Sequence, residues 1–457
     1  MYLRQVRVQH LKLLRDVVLD LQQPDGAPRM WTVVIGQNGT GKSSLLQAIA
    51  LASAGNLQVN TLASRAIGHL RDRRSDEPLH VEALFEFPDG ARQPELHPTC
   101  PALLPSPLHL RSEVSLAAGE TSLLASAAYV GVESTQDPLD KARSRNTPRW
   151  FVAGYGVARF LPDVGRAVML DRPSIERLQP LFDQTTALTS TGFSSYFGEE
   201  GDKALRFHRV LKRALLSIES LLPDIQDLEL RGHGGVKKPG DLLERSRFTQ
   251  RIGQATLKIP GVALSHGYQS TIAWVADLIG HILLEAEYEL EPEQMEGLVL
   301  IDEIDLYLHP TWQAALIPAL RATFPQMQFI VTTHSPVVLS GVAPHEVVRL
   351  ASWGANGDVV EVVHDPETGD LAPASELLEK GLRPDARMMT GSEILRESFG
   401  VGGSTPNPHG GELRRYAMLA SDPFRSESEH QEMLRLRQLL AKQGLGELPR
   451  TAKRSRS

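Results

Sequence analysis

Gly36-Gln37-Asn38-Gly39-Thr40-Gly41-Lys42-Ser43 fits the spacing G-x-x-x-x-G-K-[S/T], and its flanks decide how this part of the chain folds. Ahead of it, Val33–Ile35 is a β-branched run suited to a strand. Behind Lys42, the stretch SLLQAIALASA reads as a helix, with Leu45, Leu46, Ile49 and Leu51 placed to pack under a sheet. The glycines let the backbone curl until successive N–H groups face one point, and the helix start adds its positive dipole end. Gly36, Asn38, Gly39, Thr40, Gly41, Lys42, Ser43 and Ser44 are therefore the expected nucleotide contacts. The Lys42 ammonium is expected on the β- and γ-phosphates and the Ser43 hydroxyl on Mg²⁺. The plain alternative is an ordinary glycine turn before a helix.

Three further blocks lie far along the chain. Leu298-Val299-Leu300-Ile301-Asp302-Glu303 is an apolar strand ending in two carboxylates, a Walker B pattern. Asp302 is expected to hold Mg²⁺ through water, and Glu303 to orient and polarise an attacking water. Leu264-Ser265-His266-Gly267-Tyr268-Gln269-Ser270 stands at the start of a helix. Its hydroxyl at Ser265, bare backbone at Gly267 and helix N-terminus all suit an anion; a helix start capped by Ser265 has the same local shape. Phe329–Pro336, FIVTTHSP, puts His334 just past another apolar strand. Gly154-Tyr155-Gly156-Val157-Ala158-Arg159 ends a short strand and offers no glutamine; Arg159 there faces either phosphate or the protein interior.

The ordered set resembles the standalone ATPases of the SMC/RecF/OLD-like branch of the ABC superfamily, often called AAA-family ATPases. The runs LSHGYQSTIAWVADL, GLVLIDEIDLYLHPTWQ and FPQMQFIVTTHSP carry the resemblance, with VQHLKLLRDVVLDL similar to that branch's opening hairpin. It is specific over roughly residues 1–50, 150–160 and 260–340. It implies an α/β P-loop NTPase with a mixed sheet, a helical insertion and a small α-rich C-terminal extension. It also implies ATP and Mg²⁺ as ligands, and head-to-head dimers in which Ser265 and Gly267 of one copy meet the γ-phosphate held by the other. Asp305 would reach across that seam as a D-loop residue, and His334 would act as a switch histidine. Catalysis would rest on Glu303, His334 and Lys42. Many members belong to bacterial anti-phage systems of the Septu type, beside a separate nuclease.

The sequence also departs from the branch. His266 replaces the usual second glycine of the signature, and no sustained heptads follow the phosphate loop. Glu361, Asp365 and Asp370 do not form the pattern of a Toprim nuclease, so no nuclease site is expected in this chain. A nucleotide-binding subunit of an ABC transporter and a non-hydrolysing ATP scaffold are the alternatives.

The 457-residue sequence as a whole bounds these readings. Apolar residues make up 41% and charged residues 23%, the balance of a soluble globular protein. A single cysteine, Cys100, excludes an intramolecular disulfide and fits a reducing cytoplasm. The opening stretch has no apolar core of a signal peptide, and Thr271–Ala286 is too short and polar to span a bilayer, so no membrane contact is expected. The net charge of −7 means that DNA, if bound, needs a local basic patch. Two candidates are Arg65, Arg71, Arg73 and Arg74, and the segment Arg231–Arg251 with Lys237, Lys238, Arg245 and Arg247. Four stretches are expected: 1–160 with the phosphate loop and a proline-rich insertion, 161–262 with a helical arm and strands, 263–345 with the signature helix and switch, and 346–457 as a C-terminal extension. In the last, Asp358–His364 reads as an edge strand, and the tail from Thr451 is basic.

Overall fold

The computed structural model describes residues 1–23, 25–88, 105–134, 136–144, 149–159, 173–183, 188, 202–216, 221–229, 246–285, 290–368, 370–377, 381–399, 410–422 and 424–442. The proline-rich stretch from 94 to 104, residues 161–172, 184–187, 189–201 and 217–220 of the expected arm, the basic loop 230–245 and the basic tail lie outside them. The described chain forms two compact units, Met1–Gly391 and Ser392–Ser457.

A large mixed sheet runs through the first unit, and its strand composition follows from how each strand is covered. β3 (Trp31–Gly36), β11 (Gly297–Ile301) and β12 (Met327–Thr332) are buried at every position. They pair in parallel, β3 to β12 to β11, with β7 (Val152–Tyr155) closing that edge. Parallel strands covered on both faces need this continuous apolar character. The other half is antiparallel. β1 (Tyr2–Leu11) pairs with β2 (Leu14–Asp20) and β4 (Leu79–Phe87), and β5 (Leu108–Leu116) and β6 (Leu124–Tyr129) extend it. Here buried and open positions alternate, as along β5, where Leu108, Leu110, Val114 and Leu116 face inward. β13 (Val347–Trp353) lies parallel to β3 and antiparallel to β14 (Asp358–His364), and β14 reaches β2. β15 (Leu371–Pro373) pairs with β14 off the main path.

The expected edge strand Asp358–His364 is thus an interior strand that joins the two halves. Its polar ends misled the sequence reading: Asp358 is held by Arg15 at 2.7 Å and by Arg74 at 3.1 Å, so its charge is paired within the sheet. β5, β6 and β13 were not anticipated. A separate antiparallel sheet joins β8 (Ile225–Glu229), β9 (Arg247–Ile252) and β10 (Ala255–Pro260), and β10 leads into the signature segment.

Between these strands the core is continuous. The phosphate-loop helix Lys42–Ala52 sends Leu45, Leu46, Ile49 and Leu51 into one apolar cluster with β1, β4 and β5. Trp31 of β3 stacks on Phe329 of β12 with centroids 4.5 Å apart. Gln328, fully buried in β12, accepts from the Leu3 N–H at 2.7 Å and donates to the carbonyls of Leu3 and Arg29, both at 2.8 Å. A buried amide so placed satisfies backbone groups that no ladder reaches.

In the second unit, the helices Gly410–Ser421 and Glu427–Lys442 pack through Tyr416, Leu419, Ala420, Met433 and Leu440. Ser426 and Glu429 form a reciprocal cap, with the Ser426 N–H donating to Glu429 Oε2 at 2.8 Å and the Glu429 N–H to Ser426 Oγ at 3.3 Å.

Replacing Gln328 by Leu keeps the volume but strands three buried backbone groups. At about 1–3 kcal/mol for each unmet group, partly relieved by local shifts, the substitution is expected to remove roughly 3 kcal/mol of stability. Chemical denaturation of the variant beside the parent measures this; an unchanged midpoint would contradict the clasp.

Candidate nucleotide-binding site

The phosphate loop turns where β3 ends. Gly36 has φ 157°, and a Cβ there would sit 2.5 Å from the Leu350 carbonyl oxygen of β13 and 2.6 Å from Thr40 Oγ1, so the close approach requires glycine. Gly41, at φ 75°, opens the helix in the left-handed region that glycine adopts freely. Lys42 is 7% exposed, and its ammonium donates to the Gly36 and Gln37 carbonyls at 3.0 and 2.9 Å. Burial pulls its pKa below the usual lysine value, against the opposing pull of Asp302 and Glu303. The loop, the lysine and the helix start together form a concave cationic cradle, the requirement for holding a phosphate chain.

The same cleft, about 520 Å³, is lined by Asn38, Gly39, Gly41, Lys42, Ser43, Ser44, Asp302, Glu303 and His334, and by Lys12 and Leu13. The carboxylates arrive because β11 runs parallel to β3, one strand away across β12, and ends at the same edge of the sheet. Thr332, last in β12, does the finer work. Its hydroxyl donates to Asp302 Oδ1 at 2.6 Å and accepts from the Glu303 N–H at 2.8 Å. Glu303 sits at φ 48°, a left-handed conformation that non-glycine residues adopt only when held. One carboxylate is thereby braced while the next is turned outward, half-exposed.

His334 follows two residues later and is exposed. Its pKa is lowered below 6.5, first by desolvation and then by the Lys42 charge, against Glu303, Asp305 and Asp302. A neutral imidazole at physiological pH can donate one N–H to a phosphate oxygen. The loop that carries it is tied down: Ser335 Oγ donates to Gln313 Oε1 at 2.6 Å, and Gln313 Nε2 donates to the Leu308 carbonyl at 2.9 Å. Thr333 donates to Asp305, so the expected D-loop acid is bonded to the switch loop of its own chain.

Among the described residues no three His, Cys, Asp or Glu side chains converge as a protein-only metal cage. Ser43 and Asp302 on one cleft instead offer hard oxygen donors of the kind that share Mg²⁺ with phosphate and water.

The signature segment stands apart. Ser265 is exposed at the start of the helix His266–Glu285, and neither it nor Gly267 lines the cleft. Gly267 is buried against the loop after Walker B: a Cβ there would lie 2.6 Å from the Tyr307 carbonyl oxygen. Gln269 Nε2 donates to the Leu264 carbonyl at 2.7 Å, which fixes the turn into the helix. The structure therefore brings the phosphate loop, Walker B and switch residues together and leaves Ser265 exposed outside that cleft, with Gly267 buried one step inside the helix.

Sequence reasoning missed Lys12, Leu13 and Thr332. Lys12, at φ 52° in the β1–β2 turn, reaches the cleft only because β1 and β2 lie beside the phosphate-loop helix; its ammonium donates to Gln47 Oε1 at 3.0 Å. No local pattern marks such a residue. It also left Arg159 open, and the structure resolves its direction: it is 1% exposed and its Nη2 donates to the Glu303 carbonyl at 2.5 Å. The tyrosine of the same segment, Tyr155, donates from its hydroxyl to Asp277 Oδ2 of the signature helix at 3.0 Å, while its carbonyl accepts from the Asp302 N–H at 2.8 Å.

The basic cluster expected for DNA is largely engaged within the chain. Arg65 pairs with Asp183, Arg71 donates to the Ser75 carbonyl, Arg73 contacts His69 and Arg74 pairs with Asp72. Of the second cluster, Arg231, Lys237, Lys238 and Arg245 lie outside the described residues, and Arg251 pairs with Asp224 at 3.5 Å. Among the described residues no helix is long and apolar enough to cross a membrane.

A family model described as "AAA domain, putative AbiEii toxin, Type IV TA system" matches residues 194–340. The Septu protein PtuA of Bacillus mycoides is 25% identical over 446 residues, covering 96% of this chain and 50% of that protein. The Retron Vc95 probable ATPase of Vibrio cholerae is 43% identical over 132 residues, 29% of this chain and 25% of that one. The chain thus spans about half the length of the first relative and aligns with a quarter of the second. A crystal structure of an Smc head bound to the C-winged helix domain of ScpA superposes with TM-score 0.47 at 16% identity, covering 79% of this chain and 97% of that one.

Two outcomes are expected from this geometry. In an NMR titration, His334 should lose its proton with a midpoint below the ordinary histidine value of about 6.5; a midpoint above it would remove the desolvation and Lys42 account. Because protonation is disfavoured in the folded chain, His334 should cost stability as pH falls below about 6.5 and nothing above it. Thr332→Val keeps the shape but removes both hydroxyl bonds, and should cut turnover roughly tenfold or more in a phosphate-release assay; an unchanged rate would mean that Asp302 and Glu303 need no such brace.

Proposed function

We propose that this chain, related to the Septu and retron ATPases, binds ATP with Mg²⁺ and hydrolyses its β–γ bond in sites completed by a second copy. The observation that carries the reading is a division of labour. The phosphate loop, both Walker B carboxylates and His334 line one cleft, while Ser265 is exposed outside it on the same chain, with Gly267 buried behind it. A second copy, docked head to head, supplies the missing anion contacts to each cleft.

In that assembly the loop N–H groups and Lys42 hold the phosphates, and Ser43 and Asp302 hold Mg²⁺. The metal, when bound, neutralises charge shared by the β- and γ-oxygens. Glu303 orients the attacking water and takes its proton, with the carboxylate aimed by the left-handed backbone. Neutral His334 donates to a γ-phosphate oxygen. Ser265 and the helix start behind it contribute a hydroxyl and backbone dipoles from the opposite side. Catalysis of this kind is positioning plus charge stabilisation, and a water-excluding seam between copies strengthens both.

Similarity to Septu and retron ATPases supports a place in anti-phage defence, with ATP-driven association as the switch and a separate effector nuclease as the partner. DNA contact, if part of that role, falls to surfaces beyond the internally paired arginines.

Lys42→Ala is expected to abolish ATP binding, read by equilibrium dialysis. Glu303→Gln should keep binding, lower hydrolysis at least about 100-fold and hold the chains together when ATP is present. Mixing Lys42→Ala chains with Ser265→Arg chains tests the shared site directly. Each preparation alone should be inactive, yet one site of the mixed dimer has both intact halves, so ATPase activity should return on mixing. No recovery at concentrations where the chains associate would rule out the composite site.

A further inference from the structure

Arg159 follows the strand beside Walker B, and its surroundings give it a specific task. It lies four residues past β7, wholly inside the protein, and its Nη2 donates to the Glu303 carbonyl at 2.5 Å. Three carboxylates, Asp302, Asp305 and Glu303, draw on its charge, while Nε has no hydrogen-bond partner among the described residues. Desolvation lowers it to about 10, so it remains a cation at neutral pH. A buried guanidinium with an unmet donor is poor stabilisation; an apolar side chain of equal volume commonly does as well or better. A need beyond stability is the physical reason to keep it.

That need is visible in what it holds. Glu303 is a non-glycine residue at φ 48°, and such a backbone persists only where its surroundings determine it. Three bonds do so. The Glu303 N–H donates to Thr332 Oγ1, and its carbonyl accepts from the Leu306 N–H at 3.0 Å and from Arg159. Thr332 and Leu306 grip the peptide from Walker B's own neighbourhood; Arg159 grips it from the strand on the far side of β11. With the N–H held by Thr332, rotation about the Glu303 N–Cα bond carries carbonyl and side chain together, so a carbonyl held in place also keeps the carboxylate aimed at the cleft.

We propose that Arg159 is a positioning residue for ATP hydrolysis: without touching nucleotide, it clamps the Glu303 carbonyl and thereby aims the carboxylate that activates water. This rests on the ATPase reading above, with Glu303 as the base.

The test is steady-state and binding analysis of the full chain carrying Arg159→Gln or Arg159→Lys. Misaiming a base by about an ångström costs on the order of 100-fold, so Arg159→Gln should lose about that factor in kcat. KM and ATP affinity should stay within about threefold, because the phosphate cradle is untouched. Arg159→Lys, which restores one charged donor, should recover to within about tenfold of the parent. On a Glu303→Gln background, adding Arg159→Gln should change residual turnover by less than about threefold, since a clamp on an absent base has nothing to aim. If Arg159→Gln does not fold, Arg159→Lys decides alone: a several-fold lower kcat at unchanged affinity supports the clamp. Parent-like kcat in a folded Arg159→Gln, or in Arg159→Lys where that variant decides alone, overturns it while leaving the ATPase reading intact. So does a loss of ATP affinity in step with kcat, or full additivity with Glu303→Gln. A parent chain that binds ATP and never turns it over overturns the ATPase reading and the clamp with it.

Discussion

The parallel registration of β12 between β3 and β11 is the constraint on which the site depends. It sets Val331 beside Val33 on one side and beside Ile301 on the other. Three strands pointing the same way must release their C-terminal loops at one end, and that end holds the phosphate loop, the Walker B acids and the switch histidine. Ligand sites of open α/β sheets lie at this end for the same geometric reason. A slip of one residue in β12 would turn Thr332 to the opposite face and break its bonds to both Asp302 and Glu303.

Around that frame, the chain devotes polar side chains to joining loops that no strand pairing reaches. Gln313 links the switch loop to the Walker B loop, Thr333 ties Asp305 to the switch, and Tyr155 connects the signature helix to the strand beside Asp302. The helix that follows Ser265 is therefore bonded, through Tyr155, to the backbone that positions Asp302. The signature segment thus has a short covalent and hydrogen-bonded route to the cleft. Packing at Gly267, where no Cβ fits beside the Tyr307 carbonyl, gives a second point of contact between the same two segments.

The antiparallel half of the sheet has a different role. It supports the phosphate-loop helix from below and brings the β1–β2 turn to the rim, which is how Lys12 enters a cleft assembled from residues far along the chain. β14 completes the sheet between β2 and β13, with its charged end satisfied by arginines from the first 74 residues. The polar character that suggests an exposed edge belongs to an ion-pair network between Asp358 and surface arginines.

The sequence by itself determined the elements whose chemistry is local. A glycine-rich loop between a β-branched strand and a helix, an apolar strand ending in two acids, and a histidine after the next apolar strand each carry their own backbone and charge logic, so β3, β11, β12 and the residues at their ends could be read directly. β5 also carries an alternating pattern, but it is flanked by Gly- and Pro-rich stretches that obscured it. Only the tertiary structure decided the rest: that β14 is interior, that Arg159 turns inward to Glu303, that Thr332 serves both acids, and that Lys12 joins the cleft while Ser265 does not. Each of these depends on contacts between segments tens to hundreds of residues apart, and side-chain direction across such distances is set by strand register and packing, which leave no periodic trace in the chain.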